Sequence, residues 1–499
     1  MKWLFLCWLG WAGGTVAASA QEWLHLGPAF DHFKLTLDPG ERTEALGPLF
    51  YTERKDTQHT WGVPPLFSLV TDAATESEEY DVLYPLLTYD AYGKQYRWQF
   101  VQLFSFSGGP TQTETKRRRF TIYPFYFQQR SSDTNENYTA VFPFYGHLKN
   151  RLFHDEIYVV TPFYAETRKK DVITDNYFYP FVHVRHGDGL TGWQFFPFVG
   201  AEHKTVTSFT NHLGDISLVP GHDWYFVLWP FYHNEYSNLG TTNEEHRVGV
   251  LPLFDIQSSP NRDMTTVIWP FFSHINEREK KYVEWQTPWP LIDITRGEGK
   301  TITRFLPFYS RAHTATMQED SYLWPLYHYS RLHADPLDRE RRRILFFLFS
   351  DVKVKNTETG KSRRRTDLFP LFNYARASDG NTRLQVLAVL EPFLPTNKSI
   401  ERNWSPLWSI WRAEHNPKLQ TSSQSLLWNL YRHESAPESS SWSAFFGLVQ
   451  RESHSETGRW RLFYLPLGGG AQKYSGANGQ AEQTFTAAAR PRSGSAAKP

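Results

Sequence analysis

Tyr123-Pro124-Phe125-Tyr126 is one copy of a motif that returns along nearly the whole chain. The same proline between large apolar residues recurs as FPFY at Phe142 to Tyr145, TPFY at Thr161 to Tyr164 and YPFV at Tyr179 to Val182. It continues as FPFV from Phe196, WPFY from Trp229, LPLF from Leu251, WPFF from Trp269, WPLI from Trp289, LPFY from Leu306, WPLY from Trp324 and FPLF from Phe369. Weaker copies surround Pro48, Pro65, Pro85, Pro392, Pro406 and Pro466, and copies without proline stand at Leu103, Leu345, Leu426 and Phe445. A period of about nineteen residues marks a repeat architecture in which each unit stacks on the next.

The motif regions are crowded with Phe, Tyr, Trp, Val, Ile and Thr, the residues that fit a pleated surface, and no window holds a helical stripe. Short polar stretches between them read as hairpin reversals. The clearest is PWPLIDIT, RGEGK, TITRFLPFYS, with Gly297 and Gly299 able to take positive φ. Two more are FLFSDVKV-KNTETG-KSRRRTDLFPLF and DLFPLFNYAR-ASDGN-TRLQVLAVL. Connections this short join antiparallel neighbours, since parallel strands need a longer crossover. The sequence therefore predicts an all-β, antiparallel up-and-down meander spanning residues 21–467 as one repetitive domain. One strand per repeat gives eighteen to twenty-three strands of about twelve residues, each about 40 Å long.

Proline has no N–H to give to a ladder. In mid-strand it is tolerated at a bulge or corner, so the expected sheet is a closed or flattened barrel-like one, kinked at every motif. Both faces of the motif are apolar, so both are expected to be covered. The 33-residue gap between Pro197 and Pro230 either breaks the period or hides another strand.

Residues 1–20 carry Lys2, an apolar run from Trp3 to Ala12 and a small-residue end at Ala18-Ser19-Ala20, the pattern of a secretory signal peptide. The one cysteine, Cys7, lies inside it, so the exported chain would hold no disulfide. Residues 468–499 read as a flexible tail rich in Gly, Ala and Ser. Lys and Arg number 53 against 52 for Asp and Glu, so no global field steers the chain to nucleic acid. Three local basic runs, Lys116 to Arg119, Arg339 to Arg343 and Lys361 to Arg365, read as solvated strand ends ahead of an anionic-lipid or polyanion contact.

Three residues past the proline the chain turns small or polar, as at Ser68, Thr88, His183, His233, Asp255, Ser273, Asp293, Ser310, His328, Asn373 and Ser409. This position reads as the end of the apolar belt. Two clusters of ligand-type residues are the only metal candidates, His183, His186 and Asp188, and His328, His333 and Asp335. Neither spacing matches a zinc pattern, so no metal and no cofactor is expected. GxSxG, HExxH, GxxxxGK[ST] and GxGxxG before a helix are all missing, which leaves no catalytic residue to nominate.

The pattern resembles exported bacterial proteins rich in aromatic-proline-aromatic strands, a likeness that implies no activity. The expectation is a noncatalytic exported protein of the cell envelope, structural or associated with the outer membrane, in contact with membrane or an envelope polymer. If bacterial it would sit in the outer membrane or periplasm, and otherwise it would be secreted; the sequence leaves the oligomeric state open. The alternative is a soluble exported module whose exposed aromatics stack on glycans or peptides. A hydrolase with its site in the connecting turns ranks last.

Overall fold

A computed structural model describes residues 26–467 except 113, 212, 455 and 456. The expected signal segment with Cys7 and the expected tail from 468 lie outside the described residues. Within them the chain is an all-β antiparallel meander, as the repeat predicts: 43 strands form one sheet, each pairing with its predecessor and successor in the main run. All three hairpins read from the sequence are present, for example Ile292–Gly297 with Lys300–Phe305.

The strand count is about twice the one expected, because the proline lies in a turn and not in mid-strand. Strand Arg117–Ile122 ends before Tyr123, and strand Tyr126–Ser131 begins after Phe125. Ile122 faces Tyr126 across the hairpin. Phe125 N–H donates to Ile122 C=O at 2.8 Å around a cis Tyr123–Pro124 bond, the pattern of a turn with cis proline at its third position. Each nineteen-residue repeat therefore holds two strands of about six residues, roughly 20 Å long, with a proline turn at one end and a polar turn at the other. All motif prolines from Pro65 to Pro370 follow cis bonds in such turns. Pro48, Pro392, Pro406 and Pro466 do not: Pro48 is in a 3₁₀ turn, Pro406 in a short helix and Pro466 in a strand. The copies without proline keep the turn through residues of positive φ, Val101 and Gln102, Leu345 and Phe346, Leu427 to Asn429, and Phe445 and Phe446.

Placing proline in the turn removes the missing-donor problem that a kinked strand was invoked to solve. The turns are also bonded to each other. Phe142 N–H donates to Phe125 C=O at 2.6 Å, Thr161 N–H to Phe144 C=O at 2.7 Å and Phe178 N–H to Phe163 C=O at 2.9 Å, and the series runs on through Leu345 to Leu326 and Phe369 to Leu348. Proline turns thus form a continuous rim along one edge of the sheet. The 33-residue gap after Pro197 holds a separate hairpin, Thr207–Thr210 with Ile216–Val219, that stands outside the main sheet.

Neither Gly297 nor Gly299 takes the positive φ expected of it. Close approach explains them instead: a Cβ on Gly297 would lie 2.1 Å from Lys281 O, and one on Gly299 2.0 Å from Lys280 O. Hairpins meet backbone to backbone at this polar rim, where only glycine fits. Gly297→Ala is expected to destabilise the neighbouring hairpins by about 1–3 kcal/mol through this overlap. Limited proteolysis should show faster cutting near residues 278–300, and an unchanged cleavage rate would contradict the tight packing.

Candidate functional site: an apolar rim, a polar inner face and a side-chain seam

Alternation along each strand, carried across the ladder, produces unbroken rows. Nearest the proline rim one face carries Ile122, Tyr126, Val141, Tyr145, Val160, Tyr164, Tyr177 and Val182 in successive register. Farther along the same row stand Phe305, Tyr309, Tyr322, Tyr327, Ile344 and Phe349. Neighbouring rings touch, with centroids 5.6 Å apart for Tyr309 and Tyr322 and 5.5 Å for Tyr164 and Tyr177. Such cross-strand pairs are the unit of sheet stabilisation. The turns below this row are apolar and open: Phe144 is 59 % exposed, Phe163 61 % and Phe308 66 %. The expected belt covered on both sides is therefore overturned, because the motif's large residues crown an edge and do not fill a core.

The opposite face is largely polar and in many places buried, with one apolar cluster where Phe127, Tyr138, Ala140, Leu148 and Ile157 pack together. Its first row reads Ser68, Asp81 and Thr88 early in the sheet and Asp255, Thr266, Ser273 later, all buried. Ten of the eleven polar residues that follow the proline by three lie on strands of this inner face; Ser409 instead ends a short helix. They sit at one edge, because two strands per repeat bring every proline turn to the same side. Asp255 is fully buried and accepts from Arg247 Nε and Nη2 at 3.0 and 2.6 Å. Glu202 is similarly held by Arg185 and His222, each at 2.7 Å. Elsewhere the inner charges are less well compensated. Burial, reinforced by Glu284, raises the pKa of Asp293, and burial with Glu79 nearby raises that of Asp90.

The metal candidates are not brought together. Along Val182–Gly187 His183 faces inward while His186 faces outward toward Asp175 at 3.7 Å, and Asp188 lies in the following turn, accepting from Lys204 at 3.2 Å. His328 faces inward beside Ser321 at 2.9 Å. His333 faces outward, 3.8 Å from Asp338, and Asp335 accepts from Thr357 in a turn. Period two sends the members of each cluster to different faces. Among the described residues no group of three or more ligand-type side chains forms.

The two ends of the meander are not joined by ladder hydrogen bonds, so the expected closure is replaced by a seam of side chains. Asn429 Nδ2 donates to Asp31 at 2.8 Å and to Glu44 at 3.1 Å, Thr36 donates to Ser423 at 2.6 Å, and the Arg432 guanidinium lies 3.4 Å from the Phe33 ring centroid. An insert between strands Thr382–Val386 and Trp411–Asn416 completes the seam with two short helices, Lys398–Asn403 and Ser405–Trp408. Asn397 caps the first by accepting from Ile400 N–H. Arg402 then reaches Glu79 at 2.8 Å and Asp81 at 2.9 Å, Asn403 donates to Asp81 at 3.0 Å, and Trp404 Nε1 donates to Tyr84 C=O at 2.9 Å.

A cavity of about 450 Å³ opens inside the seam, lined by ion pairs. Arg42 bridges Glu44 at 2.7 Å and Glu53 at 3.0 Å, and Arg412 holds Glu414 at 2.6 Å. Burial opposes the charge on Arg42, but Glu44 and Glu53 outweigh it and its pKa is raised. Burial pushes Tyr51 up to about 12. Burial would likewise raise Glu53, Glu401 and Glu414, yet Arg42, Arg383 and Arg412 bring all three below the ordinary value.

No protein-family model matches the chain, and a search of curated proteins finds no match.

The seam yields two expectations. Arg402→Met strands the buried Asp81 carboxylate without its cation, a loss of about 3 kcal/mol, read as a lower thermal midpoint and faster proteolysis of residues 387–410. An unchanged midpoint would show that the insert is not a fastener. Carboxylates with lowered pKa stabilise the fold fully above their unfolded value and lose that contribution as pH falls through the folded one. Glu53, Glu401 and Glu414 should therefore loosen the seam as pH drops below the ordinary 4.5, visible as insert-specific hydrogen exchange while the central strands stay protected. Uniform exchange throughout the sheet at that pH would argue against a local opening.

Proposed function

We propose that this is a noncatalytic exported protein of the cell envelope that seats its proline rim in one leaflet of a lipid surface. The observation that carries the reading is the continuity of the rim, in which successive exposed turns such as Tyr123 to Phe125, Phe144, Phe163, Trp229 to Phe231, Trp324 and Phe346 stand below an unbroken apolar outer row. Contiguous exposed apolar surface of this extent marks an interaction or membrane site. Seating is favoured over spanning by length. Strands of about 20 Å fall short of a hydrocarbon core of about 30 Å, and a spanning strand needs about nine to eleven residues. The apolar residues also gather at one edge instead of forming a central band between two girdles. Tyr and Trp in the row just above the rim suit the level of the headgroups.

Support for the alternative comes from the next outer row, where half-exposed Trp98, Trp193 and Trp285 could stack on a glycan. Flotation with phosphatidylcholine vesicles separates the two readings. The full chain is expected to float, and Phe144→Ser with Phe163→Ser and Phe308→Ser to reduce the floated fraction at least about fivefold, since each buried ring contributes about 1.5–3 kcal/mol. A chain that stays in the soluble fraction and is retained by envelope glycan would overturn lipid seating in favour of glycan binding.

A further inference from the structure

Of the three basic runs, Lys116 to Arg119 and Lys361 to Arg365 do enter their strands at the first residues, whereas Arg339 to Arg343 lies within a strand and not ahead of it. In strand Leu337–Ile344 the pleat sends Arg339, Arg341 and Arg343 to the inner face and Glu340 and Arg342 to the outer face. Register carries the inner set across Val354, Val352 and Ser350 to Arg363, Arg365 and Asp367 on strand Ser362–Leu368. Five arginines therefore share one patch about 14 Å along the strand and roughly 10 Å across it.

Carboxylates are distributed the other way. On the outer face Glu340 pairs with Arg342, and Asp351 with Arg364 at 2.9 Å. On the inner face Asp367 is taken up by Arg365 at 3.0 Å. His328 and Ser330 flank Arg343 and Arg341 on the next strand, and Glu319 stands one strand farther away. Arg339, Arg341, Arg343 and Arg363 make no ion pair among the described residues, and the Nε atoms of Arg341 and Arg343 are buried without a hydrogen-bond partner. Burial lowers the pKa of both, and the neighbouring arginines lower it further. A fold that compensates Asp255 and Glu202 so fully leaves four of these five cations without an ion pair among the described residues.

Position identifies the missing anion. Arg343 is two residues from Leu345, where the turn Leu345–Phe346–Phe347–Leu348 exposes four consecutive apolar side chains to the rim. Arg343 and Arg341 thus stand about 7 and 14 Å above the rim, next to its apolar edge. A rim buried about 5–10 Å into the acyl boundary puts these guanidiniums at the depth of lipid phosphates. Guanidinium binds phosphate through paired N–H donors, which makes arginine the suited residue for this contact. We propose that the inner arginine face of Leu337–Leu368 binds the phosphates of anionic lipid headgroups, an inference that rests on the seated rim.

The test compares partition of the full chain onto vesicles of phosphatidylcholine alone and of phosphatidylcholine mixed with phosphatidylglycerol. The intact chain is expected to bind the anionic vesicles about tenfold or more tightly. R339Q/R341Q/R343Q should lose that increment and keep its binding to phosphatidylcholine, whereas the outer-face control R331Q/R342Q/R364Q should keep both, with circular dichroism confirming that each variant is folded. No increment in the intact chain, or equal losses in the two triples, would overturn the assignment. Full displacement from anionic vesicles by soluble polyphosphate at matched phosphate concentration would overturn it in favour of a soluble polyanion. Arginine-dependent binding to anionic vesicles without any binding to phosphatidylcholine would sink rim seating and retain the arginine site, and no binding to either vesicle would sink both.

Discussion

A prolyl nitrogen carries no hydrogen, and most of this architecture follows from where that nitrogen is put. Inside a ladder each motif would leave a carbonyl without its donor, a cost of about 1–3 kcal/mol repeated along the chain. In the turn nothing is lost, since Phe125 N–H and Tyr123 N–H supply the bonds on either side of Pro124, to Ile122 and to Leu103 of the preceding turn. The large residues that flank proline are then carried to the edge of the sheet. The result is a rim that is rich in aromatic residues, internally hydrogen-bonded and open to its surroundings.

Everything between the rims is governed by alternation. The outer face is apolar next to the proline turns and grows more polar away from them, while the inner face is mostly polar from its first row, with apolar stretches at Phe127, Ala140, Val159 and Phe226. Inner carboxylates such as Asp255 and Glu202 are stabilised by arginine and histidine neighbours instead of apolar packing. Buried ion pairs of this kind give little net stability and large penalties when one member is removed. The seam obeys the same rule: Arg402 and Asp81 fasten the two ends of the meander, beside the Asn429 to Glu44 hydrogen bond, without a ladder bond between those ends among the described residues.

Much of this was legible in the residues. The period, the antiparallel connectivity, the three hairpins, the extra element after Pro197 and the equivalence of the proline-free copies at Leu103 and Leu345 could all be read from spacing. Strand count could not, because an apolar run such as FTIYPFYF has no polar punctuation and reads as one long strand when it is two joined by a turn. That single misreading also hid the inner row. With one strand per repeat, successive copies such as Ser68 and Thr88 fall at opposite ends of a belt; with two, they fall on one edge. The arginine face had a signal in the i, i+2 spacing of Arg339, Arg341 and Arg343. The seam had none, since Asn429 and Asp31, or Arg402 and Asp81, meet across more than 300 residues of chain.

Depth is the property that distinguishes a seated rim from any other use of an exposed apolar edge. With Cys7 replaced, a single cysteine at Phe163 on the proline rim and another at Lys170 on the polar rim can each carry a fluorophore, and lipids brominated along the acyl chain report contact by quenching. A leaflet-seated rim predicts strong quenching at position 163 and none at position 170. Equal quenching at both positions, or none at either, would contradict it.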